Sequence, residues 1–119
     1  RGAKKVFFFE NYLQTLKVLK RNINELKLSE KCKIFEKNCL NFYEYENITN
    51  EKFDIIFIDP PYKEKNINFL IERILNKEIL SINGIIIIHR HKKDEVIISG
   101  RFKILDTRSY GISKIIIGH

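Results

Sequence analysis

Methionine and tryptophan are absent from all 119 residues, and the chain has only two cysteines, two prolines and five glycines. Cys32 and Cys39 are too few for a disulfide framework and lack the paired spacing of a zinc site, so they read as free thiols. No apolar run approaches the roughly eighteen residues needed to cross a bilayer; even Ile85 to Ile88 is broken at once by His89-Arg90-His91. Arg1-Gly2-Ala3-Lys4-Lys5 leads into a strand-like run rather than the apolar core of a signal peptide, which makes the cytoplasm the expected compartment and membranes an unexpected partner. The missing methionine, at position 1 as elsewhere, suggests a start inside a longer protein. Repeats, low-complexity tracts and linkers are lacking too.

What remains is globular in character. Apolar residues make up 44% and charged residues 31%, enough for one modest core and far from the composition of disorder, so residues 1–119 read as a single domain. Lys plus Arg outnumber Asp plus Glu by 22 to 15, a net charge of +7 that favours a polyanionic partner such as nucleic acid. A Lys-, Ile- and Asn-rich composition of the kind an AT-rich genome imposes accounts for part of that excess, so charge alone does not name the partner.

The hydrophobic pattern alternates between two periods. Val6 to Phe9 is a short run of the kind a strand buried on both faces requires, and it predicts a central parallel strand. Leu13, Leu16, Leu19, Ile23 and Leu26 then recur at helical spacing, predicting a helix over 11–28. Cys32 to Phe35 reads as a strand, and 38–50 as a polar and aromatic connection with room for a helical turn. Phe53 to Ile58 is a further apolar strand, Phe57 and Ile58 being expected in the core, and it is stopped by the two prolines. Ile67, Leu70, Ile71, Ile74 and Leu75 mark a second helix. Asn83-Gly84 signals a turn before a strand over Ile85 to Ile88, and the segments Phe102 to Asp106 and Ile112 to Ile117 form a final hairpin. The order β-α-β-β-α-β-β-β predicts an α/β layered sheet, mostly parallel, with an antiparallel C-terminal hairpin. Ligands of such sheets gather beyond the carboxyl ends of the strands, where Glu10, Asn38 and Asp59 fall.

Asp59-Pro60-Pro61-Tyr62, between a buried strand and a helix, is the most informative stretch. Its bland reading is a strand stop, a capping Asp and a surface Tyr. Its chemical reading starts from an exocyclic amine on a base, whose lone pair is delocalised into the ring. Such an amine becomes nucleophilic when acceptors hold its protons. Asp59 supplies a carboxylate and Pro60 a backbone carbonyl, whose direction Pro61 restricts by biasing its predecessor to an extended conformation. Tyr62 offers a face on which an extruded base can stack. Transfer of a methyl group then depends chiefly on alignment.

This tetrapeptide is the signature of S-adenosylmethionine-dependent amino-methyltransferases acting on nucleic acids, and the chain as a whole resembles the bacterial RsmD family. The resemblance runs through Arg1-Gly2-Ala3, Glu10, Asn38, Phe53 to Tyr62, Gly84 and Tyr110-Gly111-Ile112-Ser113. It implies a Rossmann-like class I methyltransferase sheet and methyl transfer from S-adenosylmethionine to the N2 amine of a guanine in 16S ribosomal RNA, with ribosomal RNA or the small ribosomal subunit as partner. By the resemblance Glu10 binds the cofactor ribose, against a reading as a charge at a helix N-terminus. Asn38 lies near the adenine, against a reading as a turn former, and Asp59 contacts the cofactor as well as the amine. Pro61 and Tyr62 face the substrate.

The departures matter equally. The family's glycine-rich cofactor loop has no counterpart here, which implies that the first strand and first helix are missing and that the isolated chain binds cofactor weakly and turns over negligibly. His89-Arg90-His91 departs from the Glu-His expected at that place. Two histidines two apart could begin a metal site, but no third ligand is evident, and no metal is expected. Arg90, Lys92 and Lys93 read instead as an RNA-phosphate contact, against a solvated loop. Adenine-N6 methylation of DNA, and a non-catalytic RNA-binding remnant, are the competing readings.

Overall fold

The computed structural model describes residues 2–41, 50–61, 63–94 and 100–119. The chain divides into two compact units, Arg1–Tyr45 and Glu46–His119.

In the first unit β1 (Val6–Phe9) pairs in parallel with β2 (Cys32–Phe35), joined through helix α1 (Leu13–Glu25) and a short 3-10 turn over Ser29–Lys31. Both strands have the bounds that the sequence predicts. β1 is nonetheless half-buried rather than buried on both faces, and among the described residues it pairs with β2 alone. Phe9 stacks on Phe35, with ring centroids 4.8 Å apart, and the Lys33 ammonium lies over the Phe35 ring.

Helix α1 is shorter than its apolar pattern predicts. Leu16 and Ile23 are buried, but Leu13 and Leu26 are exposed. Its end is set by the backbone. Lys27 takes a left-handed conformation (φ 55°), Lys27 N–H donates to Asn24 O and Leu28 N–H to Ile23 O, which together close the helix and satisfy its last carbonyls. Of the connection expected over 38–50, residues 39–41 form one 3-10 turn and 42–49 lie outside the described residues.

The second unit is a four-stranded sheet in the order β3-β4-β6-β5, with β3 (Phe53–Ile58) parallel to β4 (Leu80–His91), and β6 (Ser113–Gly118) antiparallel to both β4 and β5 (Ile104–Tyr110). Helix α2 (Ile67–Asn76) joins β3 to β4 and buries Ile67, Leu70, Ile71 and Ile74, close to its predicted apolar face. The sheet is therefore mixed, with the expected C-terminal hairpin.

β4 is far longer than the predicted Ile85 to Ile88, and Asn83-Gly84 lies within it rather than in a turn. Phe53 pairs with Leu80 and Ile55 with Ile85, so β4 accommodates extra residues opposite β3. Gly84 sits in that irregularity, where a Cβ would come within 2.8 Å of the Phe53 carbonyl oxygen. At its far end β4 continues to His91 because β6 pairs with it from Ile86 to His91.

The two-residue period of the strands divides the sheet cleanly. Ile58, Ile88 and Ile116 form one buried cross-strand row, with Ile86 and Arg90 on the same face of β4. The opposite face carries Ile55 and Phe57, which are 60% and 59% exposed. Phe57 is thus not a core residue, because it alternates with the buried Ile58.

Candidate active site

Asp59 follows the last residue of β3. Since Ile58 pairs with Ile88, it lies one step beyond the ladder, level with His89 on the face opposite the core. Its Oδ1 is 2.8 Å from His89 Nδ1, and His89 Nε2 is 3.0 Å from Ser113 Oγ on β6. The Asp59 side chain remains 53% exposed while that of His89 is 23% exposed. The carboxylate is therefore held on one oxygen and still open to solvent.

The next residue along β4 points the other way. Arg90 is 5% exposed; Nη1 donates to Pro61 O and Nη2 to Glu64 O, each at 3.1 Å, and Nη2 lies 2.9 Å from Asp94 Oδ2. A buried guanidinium needs such partners to offset its lost hydration. Here the partners are the backbone carbonyls of Pro61 and Glu64 and the Asp94 carboxylate four residues on. Glu64 also braces the segment locally, its N–H donating to Pro61 O and its Oε1 accepting from Asn66 N–H. Consecutive residues of β4 thus grip Asp59 and its loop from opposite faces of the sheet.

This placement corrects one expectation. Arg90 is not a phosphate contact, because the alternation that buries Ile86 and Ile88 also turns its side chain inward. Lys92 and Lys93 are exposed in the turn that follows, where Lys92 N–H bonds Ile112 O and Lys93 N–H bonds His91 Nδ1. His89 has both ring nitrogens engaged with Asp59 and Ser113. No group of three or more potential metal ligands occurs among the described residues. Tyr62 lies outside the described residues.

In the first unit, Glu10 follows β1 and accepts through Oε1 hydrogen bonds from the N–H groups of Asn11 and Tyr12, each at 2.8 Å. Its carboxylate is thus fixed at the opening of α1. Asn38 Oδ1 accepts from Leu40 N–H at 2.9 Å and its carbonyl from Asn41 N–H, a turn built by its own side chain.

Comparison with known proteins settles the kinship. The sequence profile of the family described as Conserved hypothetical protein 95 matches residues 1–119. The ribosomal RNA small subunit methyltransferase D of Buchnera aphidicola is 34% identical over 85 residues, covering 71% of this chain and 43% of its own. The chain belongs to this RsmD-type methyltransferase family. The protein of the same name from Haemophilus influenzae is 27% identical over 113 residues, covering 94% of this chain and 58% of its own. A solved structure of a putative methylase from H. influenzae superposes with a TM-score of 0.78 at 26% identity, covering 97% of this chain and 71% of that one. The chain spans about half the length of the curated relatives it matches.

Within this RsmD-type frame, sequence reasoning missed the contact of His89 with Asp59, its second partner Ser113, and the inward course of Arg90. For Arg90 a signal existed, since it continues the even-numbered positions Ile86 and Ile88. Ser113 stands in the Tyr110-Gly111-Ile112-Ser113 segment that carries the resemblance, but its pairing with a residue 24 positions away in the chain had no local sign.

Proposed function

We propose that the protein carrying this chain transfers a methyl group from S-adenosylmethionine to the exocyclic N2 amine of a guanine in small-subunit ribosomal RNA. The observation that carries this reading is the Asp59 carboxylate, exposed at the end of β3, anchored on one oxygen and followed by a proline loop whose carbonyls Arg90 orders.

The cofactor supplies an electrophilic methyl group when bound. Asp59 and the Pro60 carbonyl accept hydrogen bonds from the two amine N–H groups and steer the nitrogen lone pair, while Pro61 and Tyr62 receive the base. Arg90 engages the Pro61 carbonyl rather than that of Pro60, which supports a division between a carbonyl that holds the loop and one that meets substrate. The donor set also suits a cofactor with a ribose diol. Glu10 is preorganised by two amides on Oε1, so that Oε2 would accept from a ribose hydroxyl, and Asn38 would lie towards the adenine. Lys92 and Lys93, being exposed, would contact RNA phosphates. A nucleic-acid substrate of this kind makes the cytoplasm the compartment.

The test is mass spectrometry of ribosomal RNA after disruption of the full gene. One small-subunit N2-methylguanine should vanish and return on complementation. Complementation with the Asp59→Ala form should fall short by about 100-fold in rate, the scale of a lost preorganised polar contact. Persistence of every such methylguanine rejects the assignment.

A further inference from the structure

Asp59, His89 and Ser113 form a continuous chain of hydrogen bonds, 2.8 Å from Oδ1 to Nδ1 and 3.0 Å from Nε2 to Oγ. An ionised carboxylate only accepts, so Nδ1 carries the proton. In the neutral ring Nε2 then accepts, and the Ser113 hydroxyl donates to it. The chain therefore runs in one direction, from Ser113 through His89 to Asp59, and each link polarises the next. The same three residue types activate a serine in hydrolases, where the hydroxyl is the reacting end. Here the solvent-facing end is the carboxylate, 53% exposed, behind a half-buried imidazole and a half-buried serine.

We infer that His89 and Ser113 are positioning residues for Asp59, fixing the rotation of its carboxylate so that Oδ2 faces the incoming amine. This rests on the methyltransferase reading above. In the transfer the amine lone pair forms the new N–C bond as the S–C bond of the sulfonium breaks, and that electron pair stays with sulfur. The cationic nitrogen then sheds a proton to Oδ2, from which it passes to solvent on the exposed side. Oδ1, occupied by Nδ1–H, cannot rotate into that place. The imidazole also has a conservative replacement, since an Asn side-chain amide can put an N–H near the position of Nδ1.

Two measurements test the inference. Long-range proton–nitrogen NMR of the full chain at about pH 8, where an ordinary imidazole is neutral, should show His89 with its proton on Nδ1. In Asp59→Ala the proton should move toward Nε2, and in Ser113→Ala it should stay on Nδ1. A proton on Nε2 in the unsubstituted chain overturns the proposal. In methyl transfer by the protein that carries the chain, His89→Leu should lower kcat about tenfold, the scale of one orienting hydrogen bond, with KM for cofactor and RNA changed less than about twofold. His89→Asn should recover part of that loss. Unchanged kcat in His89→Leu, or equal losses in the Leu and Asn variants, also overturns it. Absence of transfer by the unsubstituted protein counts against the methyltransferase reading, while the position of the proton still decides whether His89 serves Asp59.

Discussion

Glu10 and Asn38 in the first unit are held by amides one or two residues along the chain, whereas Asp59 and its loop in the second are held by side chains 26 to 30 residues away. A contact between near neighbours is cheap in chain entropy and nearly independent of the rest of the fold. A contact across strands exists only once the sheet has its correct alignment, and it places the Asp59 carboxylate under the control of the whole ladder. Glu10 and Asn38 are thus kept by local turn chemistry, and Asp59 by tertiary structure.

Substitutions can break this contrast. The largest effect is expected for Arg90→Ala, which removes a buried cation from two carbonyls and leaves Asp94 without its partner. It should cost about 3 kcal/mol in urea unfolding, and Arg90→Lys should recover only part, as an ammonium lacks the planar fork. A loss near zero would show that the loop holds itself. In the first unit Glu10→Ala should cost about 1 kcal/mol, the scale of a helix N-terminal contact, and amide hydrogen exchange should accelerate chiefly at Asn11 and Tyr12. Asn38→Ala should cost about 0.5 kcal/mol, with faster exchange confined to Leu40 and its neighbours. A larger cost for either of these than for Arg90→Ala would reverse the comparison. A fourth substitution sharpens it from the other side. Lys27→Gly relieves a left-handed residue at the end of α1 and should stabilise the first unit by about 0.5 kcal/mol, read as a small rise in unfolding midpoint.

The same contrast explains what could be read from the residues in order. Val6–Phe9, Cys32–Phe35 and Phe53–Ile58 are apolar runs bounded by polar residues or proline, and their limits are local properties; the structure has them where the pattern puts them. Asp59 at a strand end was legible for the same reason. Asn83-Gly84 misled, because the dipeptide that marks a turn also suits a strand irregularity, and the choice depends on Phe53 and Leu80 from elsewhere in the chain. His89 to Lys93 looked like a uniform basic patch. Which of its charges faces water is decided by strand alternation, and which partners they find is decided by pairing with β3 and β6.

His89 and Arg90 are adjacent, yet they serve opposite sides of one sheet. A slip of β4 by a single residue would exchange their duties, pushing the imidazole inward and swinging the guanidinium out. The antiparallel pairing of β4 with β6, from Ile86–Gly118 to His91–Ser113, guards against this error. The C-terminal hairpin, remote in sequence from the proline loop, thereby works as its alignment gauge.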